Sequence, residues 1–434
     1  MKKLLSVVLV LVFILSLGSI GWGKEQLRFW TMWTGSSELP PQEEWVRDFN
    51  KLHPEVEIVL EQVPWAESYE KYQTAMAAGT TPDLGVLWPE FSVQIGSAGY
   101  LEPMDDLLDE IGRDNIYQTL IDVHTFGGHT WAAPHVNYCQ VLFARVDHLM
   151  EVGASYPEKG WPWDEFVEVA KKLTKDTNGD GEVDRWGIGG EIVDNSMGYG
   201  TDHAVAMALA RHGVHYIDEE GNVLFGGPDT IKAIKELADL YLEHKVMPPG
   251  APGYIHQEYL QLYEAGKLSM LGASSQNYAV MAAEAPEVLL KTIVLPYPTG
   301  PAGGANWISP DGIGVFKNSE HKDTAKEFIK FYLQDENIRK WATATRGLCV
   351  TKSGNEAPNF QEPVFKVQEM QIAWGWGVRY NGTWTTPVDG ELDGQRICAI
   401  LMQDIVSKGL SVEEAVEKAK KAIEKLPSLK MLSK

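Results

Sequence analysis

Between Leu27 and Trp88 the chain alternates three short apolar runs with two stretches of helical spacing. That order leaves few architectures open. The runs are Leu27 to Phe29 with its neighbours, Val56-Glu57-Ile58-Val59-Leu60, and Leu84-Gly85-Val86-Leu87-Trp88. Between them, Pro40 to Asn50 puts Trp45, Val46 and Phe49 on one face, and Glu67 to Ala78 does the same with Tyr69, Tyr72 and Met76. Strand–helix–strand–helix–strand order builds a mainly parallel sheet covered by helices. Open sheets of this kind take their ligands just beyond the carboxyl ends of the strands. There the first run presents Trp30, Met32 and Trp33, and the third presents Trp88-Pro89-Glu90. Trp33 and Trp88 are therefore candidate ligand platforms, with Trp30 as support; the plain alternative is that the indoles are core, where Trp usually resides. Glu90 reads either as an acceptor for ligand hydroxyls or as a carboxylate on a helix N-terminus.

Residues 1–23 carry the three parts of a secretory signal: Lys2 and Lys3, the apolar stretch Leu4 to Leu17, and the small-residue region Gly18 to Gly23. The expectation is a protein exported across the inner membrane into the periplasm, beginning near Lys24. The remaining length fits two domains, and 44% apolar residues supply sizeable cores. A formal net charge of -22 opposes nucleic-acid binding, which needs a basic surface. Cys139, Cys349 and Cys398 have no metal-ligand spacing, and leave one disulfide or three buried thiols equally open.

Further along, a turn at Gly127-Gly128 leads into a first crossing between domains around Pro134 to Tyr138, where Asn137 is a candidate ligand residue. His124, His129 and His135 share no helix face and no HExxH accompanies them, so metal catalysis is not expected. Trp163 opens a helix with Phe166, Val169 and Leu173 on its apolar face, and reads as a staple for that helix. The stretch from Asp176 to Asp184 alternates oxygen-bearing side chains around two glycines. Asp176, Asn178, Asp180 and Asp184 are candidate ligands of a structural calcium. Gly187 stands where an EF-hand needs its Glu, so a metal-free polar turn is the alternative. No other cofactor is required. Tyr199, in a polar and aromatic segment, and Asn277, at the exit of a strand beginning near Gly266, are further cleft candidates. Trp307 lies in the proline-rich stretch Pro296 to Pro310, a second crossing. Gly312 to Phe316 reads as a strand, Asp323 to Leu333 as an amphipathic helix, and a third crossing falls near Gly347 to Val350. In Trp374-Gly375-Trp376-Gly377-Val378-Arg379-Tyr380 the glycines let Trp374, Trp376 and Tyr380 flank a gap. Helices close the chain.

The order of the fragments LRFWTMWTG, TPDLGVLWPEF, TWAAPHVNYCQVLFARVDHL, WPWDEF, DTNGDGEVDRWGI, YEAGKLSMLGASS and DGIGVFKNSEHKDTAKEFIKFYL resembles extracellular solute-binding proteins of sugar ABC transporters, in the maltodextrin-binding-like class. The resemblance covers nearly the whole mature chain. It implies an α/β, two-lobed periplasmic-binding-protein fold with mainly parallel sheets flanked by helices and a hinge of several crossings. Residues 24–134 and 308–347 would form the first lobe, and 135–307 and 348–434 the second. It also implies a sugar, here an oligosaccharide given the tryptophan content, held between the lobes by a monomer and delivered to a membrane-embedded ABC permease. An Asn is common in the family where Arg145 stands, so no amide contact is assigned there. The competing readings are a secreted carbohydrate-active enzyme, for which no carboxylate pair is identifiable, and an adhesion module.

Overall fold

A computed structural model describes residues 24–190, 199–218, 220–373 and 384–432. The leader and the segment carrying Trp374, Trp376 and Tyr380 lie outside the described residues. In chain order, the first lobe opens with β1 (Glu25–Thr31), α1 (Leu39–Leu52), β2 (Val56–Gln62), α2 (Trp65–Ala78), β3 (Leu84–Leu87), α3 (Pro89–Ser97) and the short β4 (Ala133–Pro134). The second contains β5 (Tyr138–Arg145), α4 (Trp163–Leu173), β6 (Trp186–Gly189), α5 (Tyr199–Arg211), α6 (Pro228–Leu242), β7 (Leu268–Ser274), β8 (Thr292–Leu295) and β9 (Ile308–Ser309). The chain then returns through β10 (Gly312–Val315), α7 (Lys322–Tyr332) and α8 (Asp335–Thr345). It finishes with α9 (Pro387–Gly394), α10 (Ile397–Val406) and α11 (Val412–Ile423).

The first sheet has the order β2-β1-β3-β10-β4. β1 runs parallel to both its neighbours, and β10 antiparallel to β3 and β4. The apolar faces read from the sequence pack as expected. Trp45 of α1 stacks on Tyr332 of α7 at 5.4 Å, and Phe49 meets Phe328 edge-on at 5.2 Å. Tyr72 donates from its hydroxyl to the Val86 carbonyl at 3.0 Å, fixing α2 to β3. Gly85 makes room for that ring, since a Cβ there would stand 2.3 Å from the Tyr72 oxygen.

The second sheet has the order β8-β5-β7-β6, with β9 also on β5. It is less parallel than the strand–helix alternation of the first lobe suggests: only β6 and β7 run together. β5 leaves the lobe junction while β7 runs back to it, so their ladder is antiparallel.

Two strands cross side by side between the sheets. β4 pairs with β10 in the first sheet, and β5 begins in the second at Tyr138. On the return, Ile308 and Ser309 pair with Cys139 and Tyr138 before β10 starts at Gly312. The backbone N–H of His135 donates to the Asp311 carbonyl at 2.9 Å, joining the two crossings. Leu348 pairs with Asn137 and adds a third. Within 348–434, expected in the second lobe, α10 and α11 pack on α5 and α6, but α9 packs on α3 of the first. Gly390 makes that approach close: a Cβ there would meet Gln94 and, at 3.0 Å, the Glu90 carbonyl oxygen.

Candidate functional site

The carboxyl ends of β1 and β3 and the crossings meet at one junction. Trp33 stands two residues past β1, where a buried Gln42 holds the exit. Gln42 accepts from the Thr31 hydroxyl at 2.6 Å and donates to the Trp33 carbonyl at 2.7 Å. The Trp33 indole lies edge-on to Trp65 at 5.4 Å and tilted on Tyr138, the first residue of β5, at 5.1 Å. Its Nε1 is buried without a hydrogen-bond partner. Trp65 in turn lies 5.9 Å from Trp88, so the two strand exits share a run of three indoles. Trp88 stacks on Phe91 at 4.5 Å and donates from Nε1 to the Asp393 carboxylate of α9 at 3.1 Å. Trp30 donates to Glu61 at 2.8 Å and packs on Tyr72, a supporting role.

Glu90 occupies the first turn of α3 and is buried. Asn137 is fully buried in the crossing, and neither end of its amide has a hydrogen-bond partner. Trp307 approaches from the second lobe, buried against His203 at 4.2 Å. Asp202, in the first turn of α5, completes the approach. Burial, then the Asp393 and Glu90 carboxylates, push its carboxyl well above the usual range, while Arg396 acts the other way. The Asp202 carboxylate of α5 therefore senses those of α3 and α9 across the lobes.

Not every candidate joins this junction. Asn277 spends its amide inside the second lobe, donating to the Ser274 carbonyl at 2.8 Å and meeting His256 Nε2 at 2.9 Å. Tyr199 begins α5, and its side chain lies outside the described residues, as do Trp374, Trp376 and Tyr380. Trp163 opens α4 as expected and carries the Arg211 guanidinium over its ring. Asp202, Asp393 and Arg396 escaped the sequence reading. An acid at a helix start next to an aromatic, glycine-rich segment marks Asp202 in retrospect; nothing local announces that Asp393 returns to Trp88.

In the Asp176–Asp184 loop the carboxylates turn onto the backbone. Asp176 accepts from the N–H groups of Asn178, Gly179 and Gly181, and its carboxyl is held below the usual range chiefly by those of Gly181 and Gly179. Asp184 accepts from Thr177, and Asp180 from Glu182. Among the described residues no group of three or more His, Cys, Asp or Glu is set to hold a metal ion. The three histidines are separate: His124 meets Ser92, His129 lies near Asp105, and His135 is enclosed by Trp45, Tyr332 and Trp341. Arg145 is engaged by Asp147 in a two-pronged ion pair. All three cysteines are free and buried. No described helix is long and apolar enough to cross a membrane.

Two α/β lobes joined by side-by-side crossings, with aromatic and unfulfilled polar side chains where they meet, define a two-lobed binding protein. The chain belongs to the bacterial extracellular solute-binding protein family, whose model matches residues 35–338. The maltose-bound MalE3 of T. maritima is 22% identical, with a TM-score of 0.78 over 92% of this chain and 99% of that one. An ABC transporter solute-binding protein of Thermotoga lettingae TMO, bound with alpha-D-tagatose, is 19% identical, with a TM-score of 0.76 over 93% and 99%. A maltotriose-binding protein of Pyrococcus abyssi (strain GE5 / Orsay) is 22% identical over 70% of this chain and 62% of its own.

Proposed function

We propose that the protein captures a sugar, an oligosaccharide, at the junction of its lobes and presents it to the permease of an ABC importer. The observation that carries this reading is the pairing of the Trp33-Trp65-Trp88 indoles with the unpartnered, fully buried amide of Asn137. Indole faces and edges offer broad apolar area to sugar C–H groups, while a buried amide left without partners is completed by a hydroxyl. The names of the relatives, with maltose, tagatose and maltotriose among them, point to the same ligand class.

The action is reversible binding by a monomer exported into the periplasm, with no chemical change. A glycan-array screen of the mature protein, followed by calorimetry and product analysis on each hit, tests this. Saturable heat with the sugar recovered intact is the expected result; turnover of the sugar, or no hit among the glycans, removes the reading.

Calcium in the Asp176–Asp184 loop is a separate proposal. Its support is the alternating oxygen donors, and calcium is expected to raise the melting temperature. Identical melting in calcium and in chelator would leave the loop as a turn closed by its own backbone.

A further inference from the structure

A cavity of about 70 Å³ lies within the second lobe between its sheet and helices α4, α5 and α6. Leu142, Phe166, Met207 and Leu237 give it apolar walls, and Arg211, the last residue of α5, lines it with a cation. Arg211 is 3% exposed, and its Nε and Nη2 are buried without hydrogen-bond partners. Trp163 covers one face of the guanidinium, 4.0 Å from ring centroid to Cζ. The acid that acts on it, Glu236, is already engaged by His212 at 2.8 Å. Burial lowers the Arg211 pKa to about 10, which leaves it charged at neutral pH. A cation in such a place is costly unless an anion completes it, and a guanidinium fork matches a carboxylate with two parallel hydrogen bonds.

The lining narrows the anion. Apart from Arg211, the walls named above are apolar, which fits an aliphatic chain with a carboxylate at one end. We propose that this cavity is a second binding site, for a short-chain aliphatic carboxylate such as butyrate. The carboxylate pairs with Arg211 and the alkyl chain lies against Leu142, Phe166, Met207 and Leu237. Trp33, Trp88 and Glu90 do not line the cavity, but His203 does, and it packs on Trp307 at 4.2 Å, so the cavity borders the second-lobe side of the junction.

The test is calorimetry and thermal melting of the mature protein with butyrate, butyramide and butylamine at matched ionic strength. Butyrate is expected to bind saturably and raise the melting temperature, with butyramide and butylamine at least tenfold weaker. Arg211→Met is expected to lose at least tenfold in butyrate affinity. Absence of saturable butyrate binding, equal binding of butyramide, or undiminished binding by a folded Arg211→Met would overturn the site and leave a cavity filled by water. If Arg211→Met does not fold, the butyrate-to-butyramide comparison on the natural protein decides alone. Butyrate binding is measured in the absence of glycan, so failure of one reading is distinguishable from failure of the other.

Discussion

Asn137 holds both ends of its amide away from any protein partner, an arrangement that costs about 1–3 kcal/mol until a ligand or water completes it. Asn137→Ala removes the unfulfilled group together with its cost. The melting temperature of the sugar-free protein should stay level or rise, while sugar affinity falls about 10–100-fold by calorimetry; a lower melting temperature with unchanged affinity would make Asn137 a structural residue. Trp33 behaves differently because its ring is packed against Trp65, Tyr138 and Trp341. Truncation to Ala would confound binding with a lost core contact of about 3–5 kcal/mol, so Trp33→Phe is the cleaner variant. It should weaken sugar binding with only a modest change in melting. His135 supplies a pH signature. Burial takes its pKa down to about 3 from 6.5, so the unfolded chain binds a proton between those values while the folded one does not. Its contribution is therefore intact above pH 6.5 and is lost as pH falls toward 3, at about 1.4 kcal/mol per pH unit. His135→Phe should flatten that part of the stability profile in urea titrations; an unchanged slope would assign the acid limb to other groups. Trp33, Trp88, Glu90 and Asn137 were legible because strand ends and crossings can be located by local pattern. Asp202, Asp393 and Arg396 were not, because their meeting depends on chain return.

Elements were read more securely than their partners. The helices α1, α2, α4 and α7 fall within a few residues of where the apolar spacing puts them, since an amphipathic face is a local property. The direction of β5 relative to β7 is not local, and neither is the docking of α9 on α3. That docking ties Asp393 to Trp88 and depends on the missing side chain at Gly390, where a Cβ would stand 2.9 Å from Gln94 Cβ and 3.0 Å from the Glu90 carbonyl oxygen. Neither atom is the far end of a flexible side chain, so relief requires α9 to move. Gly390→Ala should lower the urea midpoint by the equivalent of about 1–3 kcal/mol at unchanged slope, as overpacking does. It should also weaken sugar binding, because Glu90 and Trp88 lie on the face that α9 covers. Full stability with full affinity would show that the helix pair adapts freely.

For the whole molecule, the consequence of two lobes joined by side-by-side crossings is that ligand and shape are linked. A sugar that touches Trp33 and Trp88 on one side and Trp307 or Asp202 on the other gains contacts only when the lobes meet, so it draws the population toward the closed form. The shift is bounded by the difference in its affinity for the two forms: moving from 1:99 to 99:1 takes about 5.5 kcal/mol. Small-angle scattering at saturating sugar should therefore show a smaller radius of gyration than the sugar-free protein, with a change in tryptophan emission as the surroundings of Trp33 and its neighbours change. Linkage makes a sharper demand. Variants that remove a contact made only in the closed form must lose affinity and closure together, so Trp33→Phe and Asn137→Ala should need more sugar to reach the same radius and should also reach a less compact limit. If saturation leaves the radius unchanged in the natural protein, the sugar engages one lobe only, and capture by closure fails even where binding itself is tight.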